Sequence, residues 1–156
     1  MEELSRTYLE TLKEEIATQQ DNRLQVRFAE LHPADIAETL NRLDEEEVQY
    51  LWKLIDVETR GDVLIELEED VRESLLAQLT NHEIATEVLE QIDSDDAADV
   101  VSELPEDRAQ QVIEQLDNAD REDLLTLLRY PEGTAGALMG TELIRVELDW
   151  TVSHAI

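Results

Sequence analysis

The sequence predicts an all-α fold: a superhelical, right-handed or irregular solenoid of short helical hairpins, with a different kind of segment beginning near its end. Three observations predict it. Apolar markers recur at Leu31, Leu43, Ile55, Leu67, Leu79, Ile92, Leu104, Leu116 and Leu128, at intervals of 12 with one interval of 13. Inside the intervals stand apolar doublets, Leu51/Trp52, Val63/Leu64, Leu75/Leu76, Val88/Leu89, Val100/Val101, Val112/Ile113 and Leu124/Leu125. Marker and doublet together make one stripe on a helix of 3.6 residues per turn, whereas a strand would need strict alternation. Helix-starting residues then follow the markers: Asp44, Asp56, Thr80, Asp93 and Asp117 each offer a side-chain oxygen to the first unpaired backbone N–H groups.

In chain order, Leu4, Tyr8, Leu12 and Ile16 predict an amphipathic first helix, and Leu24 to Leu31 a second, short one that feeds His32-Pro33. These two cap the open end of the stack. Between Leu31 and Tyr130 the repeat gives eight short helices, paired into about four hairpins of 24 or 25 residues. Pro33 and Pro105 suit first helical turns. Helices of two to three turns are too short to stand alone in water, so each must be held by the next, as in helical-repeat arrays. Trp52, within a doublet, reads as core. After Tyr130 the rhythm stops, and residues 131–140 hold three of the four glycines. Leu143 to Leu148 reads as a strand and Thr151 as the cap of a new helix. A lone strand is not stable, so the natural chain is expected to continue. The expected organisation is a helical domain over 1–130 with its repeat over 31–130, a linker over 131–142, and the truncated start of a second domain over 143–156.

Composition narrows the function. A chain of 156 residues with 42% hydrophobic content can build one core, filled by Leu, Ile, Val and Ala because aromatics are few. Forty acids against twelve Lys and Arg give a net charge of −28, which repels phosphate backbones and anionic lipid, so nucleic-acid binding is excluded. No apolar run approaches the roughly 18 residues of a membrane span, and no basic-then-apolar leader opens the chain, so this segment is not expected to enter a membrane. The absence of cysteine removes disulfides, thiol nucleophiles and thiolate metal sites. A cytoplasmic location fits.

The acids are unevenly spread. From Glu73 through Asp107 there are eleven Asp and Glu and no Lys or Arg. Within this stretch Ala97, Val100, Val101 and Leu104 fall on one helix face, while Asp95, Asp99 and Glu103 climb the other at i, i+4 and i+8. Carboxylates one turn apart, roughly 6 Å, repel by about 0.7 kcal/mol in water and about 3 kcal/mol at an effective dielectric of 20. A divalent ion relieves that repulsion. Mg²⁺ in particular takes oxygen ligands, keeps several waters and uses one or two carboxylates, so sparse aspartates on a rigid helix suit it. Asp62 and Glu66 form a second acidic pair. An acidic helix face is, however, more often plain solvated surface. Asp56 and Asp93 read as caps rather than ligands. Enzymatic chemistry finds no support: His82-Glu83 starts a zinc-protease motif but Thr86 stands where its second histidine belongs. A calcium loop from Asp93 fails at Ala98 and Leu104. His32 reads as a turn residue, His82 as a loop or first-turn residue, and no Ser/His/Asp set emerges with His154.

Three segments resemble the cytosolic N-terminal part of MgtE-type magnesium transporters: Leu31-His32-Pro33-Ala34-Asp35-Ile36-Ala37, Asp95-Asp96-Ala97-Ala98-Asp99, and the junction from Tyr130 through Met139. In that family a similar junction enters a tandem CBS domain, and Leu143 to Ile156 is similar to the first strand and helix start of its first repeat. The resemblance implies a superhelical N domain at the cytoplasmic face of the cell membrane. It also implies CBS and transmembrane domains in the same full-length protein, assembly as a homodimer, and no catalytic activity. It further implies that Mg²⁺ held between acidic N-domain and CBS faces favours the closed pore. By motif position, Asp95 and Asp99 match the acidic pair that faces these ions, and Asp62 matches a further acidic position where the family more commonly has Glu. The junction also differs in detail, with Gly140-Thr141-Glu142 where Thr-Pro is more usual. The alternative reading is a helical-repeat protein-interaction module like that of the flagellar motor switch protein, without ion sensing.

Overall fold

The computed structural model describes residues 6–131 and 134–141. Among them the structure is helical with no strand, so the all-α class holds. The strand at Leu143–Leu148 and the helix start at Thr151 lie outside the described residues, as does Leu4.

Helix α1 spans Arg6–Ala17 and α2 Asp21–Ala29. Gln19, between them, takes the left-handed conformation with φ 51° that lets the chain reverse in a short turn. Leu12, Leu24 and Phe28 are buried. The α1 carboxylate of Glu15, only 3% exposed, is gripped by Arg23 at 3.0 Å and Arg27 at 2.9 Å from α2. Burial makes that pairing necessary, because an unpaired carboxylate there would lose its water without replacement.

The repeat follows as α3 (Pro33–Leu40), α4 (Glu45–Trp52), α5 (Val57–Ile65) and α6 (Glu69–Gln78). Next comes a composite helix, in which α7 (Asn81–Glu83) runs into a π-helical turn, Ile84–Val88, and a 3-10 turn, Leu89–Gln91. Then come α8 (Ser94–Ser102), α9 (Glu106–Ile113) and α10 (Asn118–Leu127). Both residues of each apolar doublet through Val100/Val101 are buried, together with Val112 and Leu124. Their outer partners differ: Ile113 is half-buried, and Leu125 is 40% exposed.

Caps fix where these helices start. Asp44 and Glu47 form a reciprocal capping box, as do Thr80 and Glu83, and Asp117 accepts from the N–H groups of Ala119 and Asp120. His32 is more than a turn residue, since its Nδ1 accepts from Ala34 N–H at 3.3 Å as the N-cap of α3. Pro33 occupies the first helical turn, but Pro105 stands one position earlier than expected, as the N-cap of α9. There its carbonyl accepts from Arg108 and Ala109 at 2.9 and 2.8 Å. Asp56 and Asp93 hold N-cap positions without making a side-chain cap bond.

Packing runs between alternate helices. α3 packs on α5, α5 on the π-helical and 3-10 turns, and α7 on α9, while α4 packs on α6 and α8 on α10. Each hairpin thus stacks its two helices on their counterparts in the next, and α1 closes the first end against α4. One step is looser, because α6 and α8 meet less closely than the other neighbours in their row. That opening coincides with the irregularity in the repeat. The single 13-residue interval, Leu79 to Ile92, contains the π-helical turn, which takes up one extra residue by widening the helix locally.

Candidate functional site

The looser step leaves an open groove of about 290 Å³ between α6 and α8, lined by Ile65, Arg72, Asp96, Asp99, Val100, Ser102 and Glu103. Helix α8 supplies most of it. Its inner face, Ala97, Ala98, Val100 and Val101, is buried, and Leu104 just beyond is 8% exposed. The helix is thereby locked in rotation, which leaves Asp99 exposed and Asp95 and Asp96 half-buried. Asp95 and Asp96 lie in its first turn, where the positive end of the helix dipole tolerates negative charge.

Of the carboxylates read from spacing, Asp99 lines the groove and is exposed, and Asp95 lies half-buried on the same helix outside the groove lining. Asp62 is exposed on α5. Asp96, absent from that reading, is the most perturbed. Its carboxyl pKa is raised above the usual aspartate value, first by burial and then by the charges of Asp95, Asp93, Asp99 and Asp62. The structure therefore brings Asp62 into the electrostatic neighbourhood of α8, although it comes from another helix. Gly61 explains how. A side chain there would meet Ile92 Cγ2 at 2.5 Å and the Val88 carbonyl at 3.0 Å, so α5 lies directly on the turn preceding α8.

Glu103 is diverted from the acidic row. Arg72 Nε donates to its Oε2 at 2.9 Å and Nη2 to its Oε1 at 2.5 Å, while Nη1 donates to the Ile65 carbonyl at 3.3 Å. Glu66, paired with Asp62 by spacing, is the exposed C-cap of α5. Other arginines are also turned to backbone. Arg60 bonds the carbonyls of Ile55 and Lys53, Arg108 those of Leu76 and Leu79, and Arg121 those of Ile113, Glu114 and Leu116. They satisfy helix C-termini and leave the α8 aspartates unneutralised. Among the described residues no hydrogen bond or ion pair engages the carboxylates of Asp62, Asp95, Asp96 or Asp99.

A dehydrated cation would need several donors converging on one point, and no such cluster of His, Asp and Glu occurs among the described residues. The donor set fits a hydrated hard ion instead. Oxygen donors alone, one or two carboxylates at a time, on a groove open to water are the kind of ligand set that Mg²⁺ takes. Trp52 is core, 2% exposed, with the Arg60 guanidinium 5.9 Å from its ring. His82 is exposed in the first turn of α7, and His154 lies outside the described residues.

The family model described as the MgtE intracellular N domain matches residues 31–133. The fold is similar to a crystal structure of the soluble part of a magnesium transporter, at 26% identity and a TM-score of 0.76, over 87% of this chain and 54% of that one. It is also similar to the cytosolic domain of the Mg²⁺ channel MgtE in complex with ATP, at 27% identity and a TM-score of 0.78, over 88% of this chain and 56% of that one. The chain thus spans about half the length of these solved chains. No curated protein matches it. Among the described residues no helix is long and apolar enough to cross a membrane.

Proposed function

The chain belongs to the family of MgtE intracellular N domains, and from that membership we propose that it is the Mg²⁺-sensing regulatory part of a magnesium transporter or channel, without catalytic activity. One observation carries the reading: Asp96 and Asp99 stand together on the wall of an open groove, with Asp95 on the same helix and Asp62 brought near from α5, and burial, then these neighbouring charges, raise the Asp96 carboxyl. Asp95 and Asp99 are the primary ligands in this reading, through water or directly, with Asp62 as a further one. Asp96, standing on the groove wall, joins them.

The mechanism is electrostatic. Left to themselves, these carboxylates repel one another and repel any second acidic surface, such as a following CBS domain of the same full-length protein. A dication supplies the positive charge that lets two such surfaces approach. Because the binding surface is completed only when both faces are together, the compact arrangement has the higher ion affinity, and the population shifts toward it as Mg²⁺ rises. With transmembrane domains beyond and a homodimeric assembly, that compact arrangement corresponds to the closed pore. The isolated N domain binds weakly, since it offers half the ligands.

The test is a Mg²⁺ titration of the intact protein, read by protection from limited proteolysis, in wild type and in Asp95→Ala/Asp99→Ala. The variant is expected to need several-fold more Mg²⁺ for half-maximal protection. Superimposable curves would remove these residues from the site.

A further inference from the structure

We propose that the Arg72 guanidinium is a built-in competing cation that sets how much Mg²⁺ the α8 groove requires; this rests on the reading of the groove given above. Arg72 arises from α6 and crosses the opening to Glu103, held by the bidentate pair and by the Ile65 carbonyl at 3.3 Å. Three bonds from one planar fork fix where its charge sits. Its side chain is 19% exposed, so water screens it less than a free surface lysine.

Two effects follow, and both weaken ion binding. The guanidinium adds positive charge to the wall that carries Asp96 and Asp99, offsetting the field that attracts a dication. It also occupies both oxygens of Glu103, removing a third carboxylate from the ion's reach. A guanidinium does not lose its proton in proteins, so this offset is constant across working pH. No nearby cation duplicates it in sequence: Glu73 through Asp107 contains neither Lys nor Arg. Arg108, at the far border of that stretch, is engaged with Asn81 and the carbonyls of Leu76 and Leu79. Arg72 therefore acts as a positioning residue for Glu103 and as a tethered rival of the ion.

The experiment measures the half-maximal Mg²⁺ concentration for protease protection of the intact protein, with a thermal melt of each variant in the absence of Mg²⁺ to report any separate change in stability. Arg72→Gln is expected to lower that midpoint about fivefold, the effect of removing one charge within about a nanometre of a dication in a water-rich groove. Arg72→Lys, which keeps the charge, should stay within about twofold of wild type. Glu103→Gln leaves Arg72 its Ile65 contact and its charge unmatched, and should raise the midpoint. An unchanged or raised midpoint in a folded Arg72→Gln protein would overturn the proposal. If that variant does not fold, an unchanged or lowered midpoint in Glu103→Gln does so instead. Asp96→Asn/Asp99→Asn separates the two levels. If it leaves the midpoint unmoved, the ion site fails and Arg72's role with it. If it raises the midpoint while Arg72→Gln has no effect, only Arg72's role fails.

Discussion

At the scale of single residues, Asp96 and Glu83 show opposite electrostatic environments and so predict opposite pH behaviour. Burial, then the neighbouring aspartates, raise the Asp96 carboxyl above its ordinary 3.8, whereas the backbone N–H and hydroxyl of Thr80 hold Glu83 below 4.5. The folded protein binds the Asp96 proton more tightly than the unfolded chain, so Asp96 costs stability above its raised pKa and that cost vanishes as pH falls through it. Glu83 contributes stability above 4.5 that is lost as pH falls through its lowered value. Asp96→Asn is therefore expected to raise the thermal midpoint at pH 7, with the gain shrinking on acidification; a gain that grows in acid would contradict this. Gly61→Ala makes a steric prediction. Alanine in an open helix gains about 1 kcal/mol over glycine, but here the new methyl meets Ile92 and the Val88 carbonyl. Overpacking of about 1–3 kcal/mol should reverse the sign, seen as a lower urea midpoint. Spacing singles out Asp95 and Asp99, with Glu103, and separately Asp62 with Glu66, because the members of each set stand one helical turn apart. Asp96 escaped because its distinction is depth, set by the neighbouring helices. Gly61 carries a signal in the sequence itself, since an isolated glycine within a helical pattern often marks a close approach of backbones.

At the scale of elements, nearly every helix was legible because its period, its cap and its marker agreed. Thr80 and Asp117 act as the caps that their positions implied. The arginine pattern was equally present in the sequence but carried no recognised meaning. Arg60, Arg72 and Arg121 each stand five residues after a marker, and the structure shows why, since each reaches back to a carbonyl at the end of the preceding helix. The 13-residue interval was visible as a count, while its consequence, a π-helical turn over Ile84–Val88, depends on how the chain stores the extra residue. If the turn holds that residue, removing Thr86, which is not buried, should restore a 12-residue interval and an ordinary α-helix. The Val88/Leu89 doublet would then keep its place relative to Ile92. Deleting Thr59 from the regular helix α5 would instead rotate Val63 and Leu64 off the core by about 100°. Circular dichroism melts should show the Thr86 deletion still folding cooperatively and the Thr59 deletion collapsed. Equal damage from both would mean that the π turn is not where the repeat absorbs its insertion.

At the scale of the whole molecule, the sequence carries a net charge of −28, and several of the arginines among the described residues are turned to backbone carbonyls rather than to the acids. Self-repulsion of this kind opposes compaction, and at equal ionic strength Mg²⁺ should raise the thermal midpoint more than Na⁺ if the aspartates act together. The acidic helix is also joined to the far end of the described chain. After α10 the chain turns back, with Gly136 against the Tyr130 ring, and Thr141 reaches Ser94 at the first turn of α8. Both its backbone N–H and its hydroxyl lie 3.0 Å from the Ser94 hydroxyl oxygen. A contact between residues 47 apart in sequence has no periodic signature, which is why the junction read only as a change of composition. The consequence is mechanical. The segment that leaves the helical stack is thereby tied, through Ser94, to the first turn of α8 beside Asp95 and Asp96. Ser94→Ala removes the shared oxygen while keeping a helix-compatible residue. The expected loss is about 1 kcal/mol of stability, together with faster amide hydrogen exchange at Thr141 and little change at the buried amides of α5. Exchange at Thr141 that stays at the wild-type rate would show that the segment is held by the Tyr130 contact alone and is not coupled to α8.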